Sequence, residues 1–117
     1  MNYTRLQPEA LYHLAEALKA LAHPLRLRIL EELSGGECSV GDLQKRLEAP
    51  QAIVSQQLKI MRTSGVATFR RERNQSLYRL RHPGLLKLLK CLLSCQSYCL
   101  TPDPLAEPQP TKPRRTT

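Results

Sequence analysis

A mainly α-helical domain with one small β-hairpin is predicted by three features of this sequence. Apolar residues recur at three- and four-residue steps over most of residues 8–64, the spacing of amphipathic helices. The spacing changes to alternation over residues 66–80, and a Leu-rich helical segment follows Pro83. The length of 117 residues fits one small domain with a modest core. A core of this kind is often completed by dimerisation.

The charge of the chain points to a polyanionic partner. The formal net charge is +8, which favours nucleic acid as that partner. The sequence shows no Ser/His/Asp grouping, no paired acids and no Gly-rich phosphate loop, so we expect a protein that is not an enzyme and holds no permanent cofactor. It also lacks a signal-peptide pattern and a run of about 20 apolar residues. We therefore expect a cytoplasmic protein with no membrane partner.

Two helices are predicted at the start of the chain. The first spans residues 8–21, with Pro8 in its first turn. The second follows His23, whose side chain can cap it, and ends at Gly35 and Gly36. The first helix carries one apolar stripe, formed by Leu11, Leu14, Ala15, Leu18 and Leu21.

A helix-turn-helix is predicted next. Ser39 followed by Asp42 resembles a capping box at the start of a short helix. After a tight break, a second helix runs to Gly65, which can close it with a left-handed cap. The expected core positions of that second helix are Ile53, Val54, Leu58 and Met61. Such a pair of helices places its second member in the major groove of DNA.

Residues 66–80 predict a β-hairpin, which directly after a helix-turn-helix forms a wing. The predicted fold is therefore a winged helix-turn-helix with the element order α-α-α-α-β-β-α. Residues 1–100 would form the DNA-binding and dimerisation domain. Residues 101–117 contain five prolines and a basic end without apolar periodicity, so they predict a disordered, Pro-rich basic tail.

The candidate contacts to double-stranded DNA lie on the second helix of the pair and on the wing. Gln side chains can bond adenine edges twice, Ser can bond bases or phosphates, and Lys and Arg suit phosphates. The helix offers Gln51, Ser55, Gln56, Lys59 and Arg62. The wing offers Arg70, Arg71 and Arg73, with Asn74 and Gln75 at its tip. Alternatively, these polar residues only face solvent. DNA binding is favoured over this alternative because the helix pair, the wing and the positive charge occur in the same chain.

Three of the four cysteines, Cys91, Cys95 and Cys99, lie in the segment KCLLSCQSYCL of the last helix, and the fourth is Cys38. In a reducing cytosol such thiols favour metal or redox chemistry over structural disulfides. Thiolates select soft ions such as As(III), Sb(III), Cd(II) and Cu(I). Cys38 stands alone at the start of a predicted helix, where we expect it to have a structural role. It is also a candidate for an additional thiol of such a metal or redox site.

Helix geometry restricts a three-thiol site. Cys91 and Cys95 lie about 6 Å apart along a helix axis, but Cys91 and Cys99 lie about 12 Å apart. We therefore expect the chain to bend after Cys95 and bring Cys99 in. The alternatives are ligands from Cys38 or from a partner subunit, or cysteines that only fill the core. A helix unbroken through Cys99 would favour cross-subunit ligands or core filling.

Four segments in this order, LKALAHPLRLRILEEL, SVGDL, VSQQLKIMRTSGV and RRERNQSLYRL, resemble the ArsR/SmtB family of winged-helix repressors. The similarity covers roughly residues 10–95. It implies a homodimer joined by the first and last helices. It also implies a repressor that leaves its operator when a thiophilic metal, metalloid or sulfur species binds or modifies it.

The chain departs from the sensing sites of that family. The Cys-Val-Cys of the arsenic type is replaced by residues 39–41, which read Ser-Val-Gly. The zinc type needs Asp and several His on the last helix, whereas the histidines here are His13, His23 and His82. The first cysteine of the persulfide-sensing branch aligns near Glu31, and its late cysteine near Ser97.

From the residues present we expect a repressor that As(III) or Sb(III) releases from DNA by binding Cys91, Cys95 and Cys99. Cd(II) or another soft ion is a further candidate inducer. Two alternatives stay open: a thiol-redox or persulfide-responsive repressor of the same fold, and a DNA-binding protein without an effector.

Overall fold

Five helices and three strands follow one another in the computed structural model, which describes residues 5–100 and Leu105. They are α1 (Pro8–Leu21), α2 (Pro24–Leu33), β1 (Cys38–Ser39), α3 (Val40–Leu47), α4 (Gln51–Thr63), β2 (Ala67–Glu72), β3 (Gln75–Leu80) and α5 (Gly84–Leu100). This confirms the predicted fold class and adds strand β1, which the predicted element order lacked. The predicted tail, residues 101–117, lies outside the described residues except for Leu105.

Three of the predicted capping positions lie at helix ends, whereas α2 ends at Leu33 with Ser34 as its C-cap and not at the predicted Gly35 and Gly36. The backbone N–H of Leu25 donates to Nδ1 of His23 at 3.1 Å, so His23 caps α2. Ser39 and Asp42 form a reciprocal capping box with two 3.0 Å hydrogen bonds at the start of α3. Gly65 follows α4 with φ of 79°, a backbone conformation that glycine adopts without a Cβ clash.

One antiparallel sheet, in the strand order β1-β3-β2, contains the wing. β2 and β3 form the predicted hairpin, whose loop is Arg73–Asn74 because Glu72 pairs with Gln75. β1 pairs with the other edge of β3, with Cys38 opposite Tyr78 and Ser39 opposite Leu77. The wing is therefore bonded to the residues that begin the helix-turn-helix.

The core lies between the four N-terminal helices and the sheet. Its fully buried side chains include Ile29, Leu30, Leu43, Val54, Leu58, Met61 and Val66. Ile53 was also predicted as a core residue, and that prediction is wrong because its side chain is 40% exposed. Val54, Leu58 and Met61 define the buried face of α4, and a neighbour in sequence is rotated by about 100° around the helix.

Much of the apolar surface of α1 and α5 is not covered by the other residues that the structure describes. Leu11, Leu14 and Leu18 are all about half exposed on α1, and every residue of α5 from Lys90 onward is exposed. Parts of α1, the end of α4 and the first half of α5 line an open groove of about 1050 Å³. No helix of residues 5–100 is long and apolar enough to cross a bilayer.

Candidate nucleic-acid interface and cysteine-bearing helix

Helix α4 presents a polar face to solvent and a buried face to the core. Val54, Leu58 and Met61 have no exposed surface and fix the rotation of the helix. The predicted DNA contacts all fall on the exposed side: Gln51, Ser55, Gln56, Lys59 and Arg62. Pro50 precedes the helix and supplies no side-chain cap, so backbone N–H groups at this end are available to an anion.

A contact that the sequence prediction missed joins α4 to α1 through α2. Nη1 of Arg26 donates to Oε1 of Gln57 at 2.7 Å, and Nε of Arg26 donates to the carbonyl of Ala20. Gln57 is half-buried beside the exposed face of α4. The end of α1 and the middle of α4 therefore share one guanidinium, although no spacing rule in the sequence joins residues 31 positions apart.

One face of the wing packs toward α4. Phe69 and Tyr78 are directly opposite in the sheet, with ring centroids 5.3 Å apart. Cζ of Arg62 lies 5.0 Å from the centroid of the Phe69 ring, a cation–π distance. Arg71 lies on this same face, because side chains alternate along a strand, and it donates to Oγ of Ser76 at 3.3 Å. This face brings Arg62 and Arg71 to the same side of the molecule.

The other face of the wing carries Arg70 in contact with two carboxylates. Its Nε and Nη2 each lie 2.9 Å from an oxygen of Glu37, and Nη2 lies 2.8 Å from Oε2 of Glu72. The hydrogen bond from Arg70 lowers the pKa of the Glu37 carboxyl, and the same bond raises the pKa of Arg70. Arg70, predicted as a DNA contact, is thus already bound within the chain.

The tip of the wing is polar and exposed. Arg73, Asn74 and Gln75 are all exposed to solvent. Arg73 has φ of 57°, a left-handed conformation that is uncommon for a residue with a side chain. The two-residue loop therefore turns the strand tightly and places a guanidinium at the end of the hairpin.

Helix α5 is unbroken from Gly84 to Leu100, so the bend expected after Cys95 is wrong. Residues 85–100 of this helix contain neither Gly nor Pro. Cys91, Cys95 and Cys99 are all exposed. Within residues 5–100 no group of three Cys, His, Asp or Glu side chains is close enough to hold a metal ion. The straight helix keeps the three thiols apart, and they do not fill the core of their own chain.

The late thiols lie along one flank of an apolar stripe. Leu88 and Leu89 pack against the core from the first half of α5. At about 100° per residue, Cys95 and Cys99 fall within about 75° of the direction shared by these leucines and Leu85. The thiols therefore lie beside the apolar stripe of α5, in the half of the helix that extends beyond the core.

Cys38 has a different environment. It is only 1% exposed, and its Sγ lies 3.1 Å from Nη1 of Arg46. Burial raises the pKa of its thiol, and the nearby Arg46 opposes this shift in part. The neutral thiol points toward the carbonyls of Glu32 and Gly36 at 3.9 and 3.6 Å. This burial agrees with the structural role expected for Cys38.

Sequence and structure comparisons relate the chain to known regulators. Residues 23–68 match the family described as bacterial regulatory protein, arsR family. The biofilm growth-associated repressor of Agrobacterium fabrum is 43% identical over 75 residues, which are 64% of this chain and 64% of that protein. The structure of HlyU from Vibrio cholerae has a TM-score of 0.68 and 32% identity, and the match covers 80% of this chain and 99% of that one. The chain belongs to the ArsR family.

A further structure resembles this ArsR-family chain. The solution structure of Mb0332 from Mycobacterium bovis is described as a homodimeric winged helix-turn-helix DNA-binding domain. It has a TM-score of 0.71 at 26% identity, and the match covers 86% of this chain and 94% of that one. The relatives are regulators of transcription, which confirms that this ArsR-family protein is not an enzyme.

Proposed function

We propose that this ArsR-family protein is a transcriptional repressor that binds double-stranded operator DNA as a homodimer. A thiophilic metalloid, As(III) or Sb(III), bound by the cysteines of α5 releases it. The observation that carries the DNA-binding part is the division of α4: its polar residues are exposed while Val54, Leu58 and Met61 are completely buried. This arrangement suits a helix that lies in the major groove.

The exposed residues divide by chemistry. Gln51, Ser55 and Gln56 lie in the first half of α4, where side chains reach base edges. Lys59 and Arg62 lie further along the helix and serve the phosphates. At the wing, Arg71, Arg73 and the amides of Asn74 and Gln75 contact the backbone or the adjacent groove.

The homodimer accounts for the uncovered apolar surface. The leucines of α1 and the second half of α5 are exposed in one chain but would be covered by the same helices of a second chain. Mb0332, which shares the fold, is described as homodimeric. A two-fold dimer presents two α4 helices to two half-sites of an operator.

DNA binding is tested with a duplex that the wild-type protein selects from random sequences. Gln56→Ala should lose about 1–3 kcal/mol per subunit of preference for that duplex over a scrambled one, because a bidentate base contact is removed in each half-site. Lys59→Gln should weaken binding to both duplexes and reduce the salt slope by about 1.8, because the dimer loses one phosphate contact of about 0.9 in each subunit. Gln44→Ala on α3 serves as the control. Equal preference by wild type for both duplexes would contradict sequence-specific binding.

For the inducer, the unbroken α5 favours a site shared between subunits. Cys91 and Cys95 are one helical turn apart and can offer two thiolates to one ion, and the third would come from Cys99 of the second chain. Soft thiolates suit As(III) and Sb(III). Binding would change how the two α5 helices pack, with a coupling to DNA affinity of about 1–3 kcal/mol.

Release is tested by titrating arsenite or antimonite into the reduced protein bound to its selected duplex. Wild type and Cys38→Ser should be released, whereas Cys91→Ser/Cys95→Ser should stay bound. Release by peroxide or by a polysulfide, each of which can oxidise two thiols to a crosslink that mass spectrometry detects, would instead favour the thiol-redox or persulfide-responsive repressor. Insensitivity to every one of these reagents would favour the DNA-binding protein without an effector.

Mixed dimers locate the third ligand. Neither Cys91→Ser/Cys95→Ser nor Cys99→Ser alone holds a complete set of thiols. In a heterodimer of these two variants, one shared site is complete again, so arsenite binding should return to half of the wild-type stoichiometry. A site confined to one chain would stay incomplete in the same mixture, and no binding would return.

A further inference from the structure

The wing contains two neighbouring arginines that face opposite ways. In the register of the sheet, Arg71 shares a face with Phe69, whose ring lies under Arg62 of α4. Arg70 lies on the reverse face, opposite Leu77. The two side chains therefore differ in what they can reach, although the sequence presents them as equivalent.

Arg70 is held by a two-pronged contact with Glu37. Its Nε and Nη2 meet the two carboxylate oxygens at 2.9 Å each, the side-on geometry that a guanidinium forms with a carboxylate. Glu72, two residues along the same strand, adds a 2.8 Å contact to Nη2. Arg79 of β3 adds a second positive charge near Glu37, but it is Arg70 that forms the hydrogen bonds with this carboxylate. The donors of Arg70 are thus engaged by two carboxylates, which leaves few of them to offer a phosphate.

Glu37 belongs to a different part of the chain from the wing. It directly precedes β1, whose residues pair with β3 and lead into the capping box of α3. The contact between Arg70 and Glu37 therefore joins β2 to the entrance of the helix-turn-helix across the intervening strand β3. This contact is a second link between the wing and the start of α3, beside the pairing of β1 with β3.

We propose that Arg70 is a positioning residue, held by Glu37 so that Arg71 and Arg73 are directed at DNA, and not itself a phosphate ligand. This inference rests on the proposed DNA binding. It separates the three wing arginines that were predicted as DNA contacts into one that orients the hairpin and two that contact the partner.

The substitution Glu37→Gln distinguishes a positioning residue from a phosphate ligand, because the two roles predict opposite changes in DNA affinity. If Arg70 is a positioning residue, affinity for the selected duplex should fall about two- to fivefold, the range for loss of an exposed ion pair, although the protein gains positive charge. The salt slope should stay unchanged. If Arg70 were a phosphate ligand held back by Glu37, affinity should rise and the slope should steepen by about 1.8, one phosphate contact in each subunit of the proposed dimer, which would overturn the proposal.

Glu31→Gln is the matched control. It removes the same charge from an exposed carboxylate, which pairs with Arg28 at 2.7 Å on α2 and not with the wing. It should leave affinity unchanged or slightly raised. An equal fall in affinity for Glu31→Gln and Glu37→Gln would also overturn the proposal, because the effect would then not depend on the wing contact.

A charge exchange provides the rescue. Arg70→Glu alone should weaken DNA binding, and Glu37→Arg combined with Arg70→Glu should restore most of it by rebuilding the pair in reverse. A phosphate ligand could not be replaced in this way. Failure of the double variant to recover, in a protein whose circular dichroism shows it folded, would count against the positioning role.

The free protein tests the same contact independently of DNA. Glu37→Gln should lower the ¹H–¹⁵N heteronuclear NOE of β2 and of the Arg73–Asn74 loop relative to wild type, because the hairpin loses its connection to the α3 entrance. An unchanged NOE would overturn the proposal. If wild type binds no duplex specifically but the NOE falls, the proposed function fails while the positioning role of Arg70 stands.

Discussion

At the scale of single residues, one residue type takes two roles in this chain. Cys38 is enclosed by the core, with its thiol beside a guanidinium and two carbonyls. Cys91, Cys95 and Cys99 are exposed on a helix that extends past its own core. Exposure and not residue type therefore decides which thiols can meet a soft ion.

The buried thiol predicts a pH dependence of stability. Burial raises the pKa of Cys38 above its ordinary value of 9.0, so the neutral thiol stabilises the fold fully below that value. As pH rises further, the unfolded chain ionises first and this contribution is lost. The difference in free energy of unfolding between wild type and Cys38→Ala should shrink from pH 7.5 to pH 10 in urea titrations at fixed protein concentration. A constant difference would mean that the thiol ionises as readily in the folded state.

At the scale of elements, Arg26 joins three helices. It lies on α2, donates to the end of α1 at Ala20, and donates to Gln57 of α4 at 2.7 Å. The orientation of α4 relative to α1 therefore depends on a partly buried polar contact as well as on apolar packing.

Replacing Arg26 tests that contact. Arg26→Met keeps the length of the side chain and removes both hydrogen bonds, so the free energy of unfolding should fall by about 1–3 kcal/mol. Arg28→Met is the control on the same helix, because its exposed pair with Glu31 should contribute at most about 1 kcal/mol. Equal losses for the two variants in chemical denaturation would show that the link through Arg26 adds nothing specific.

At the scale of the whole molecule, a single chain exposes apolar side chains of α1 to solvent. Leu11 is 50% exposed, Leu14 44% and Leu18 56%. Leu14 and Leu18 also line one flank of the groove beside α5. A second chain is the simplest cover for a surface of this kind, and it would also provide the second DNA-contacting helix.

A charged residue in that surface should separate the dimer. Leu18→Glu places a carboxylate where the two chains of the proposed dimer would meet, so sedimentation velocity should show a monomer at concentrations where wild type is a dimer. Affinity for the selected duplex should fall about 100-fold or more, the gain that linking two binding modules typically provides. Lys19→Gln changes the net charge equally on the neighbouring exposed position and should leave the dimer intact. A dimeric Leu18→Glu protein would place the interface elsewhere.

The sequence predicted the features that depend on local signals. A few adjacent residues determine each of these features. The structure confirms the caps at His23 and Ser39, the left-handed Gly65 and the turn of the wing. Strand β1 escaped prediction because two residues are too few to show alternation. The expected bend in α5 was inferred from what three thiols need for one ion, whereas the helix follows its own residues, which contain neither Gly nor Pro between Cys91 and Leu100.

The sequence predicted which residues form the exposed surface of the candidate site, but not how those residues pair with others. All ten proposed DNA contacts are exposed, as residue type and helix phase suggested. The pairing of Arg70 with Glu37 and of Arg26 with Gln57 joins residues more than 30 positions apart, and such pairs appear only when the chain is folded. Ile53 shows the same limit on α4, because helical spacing alone does not locate the edge of the buried face.

The double role of Ser39 has a consequence for how the molecule comes apart. The same residue pairs with Leu77 of the wing strand and caps the first turn of α3. The hairpin cannot leave the sheet on that side without also releasing the start of the helix-turn-helix. The two parts that would meet DNA should thus open together as one cooperative unit, so a partly unfolded chain that keeps one of them in a binding shape should be rare.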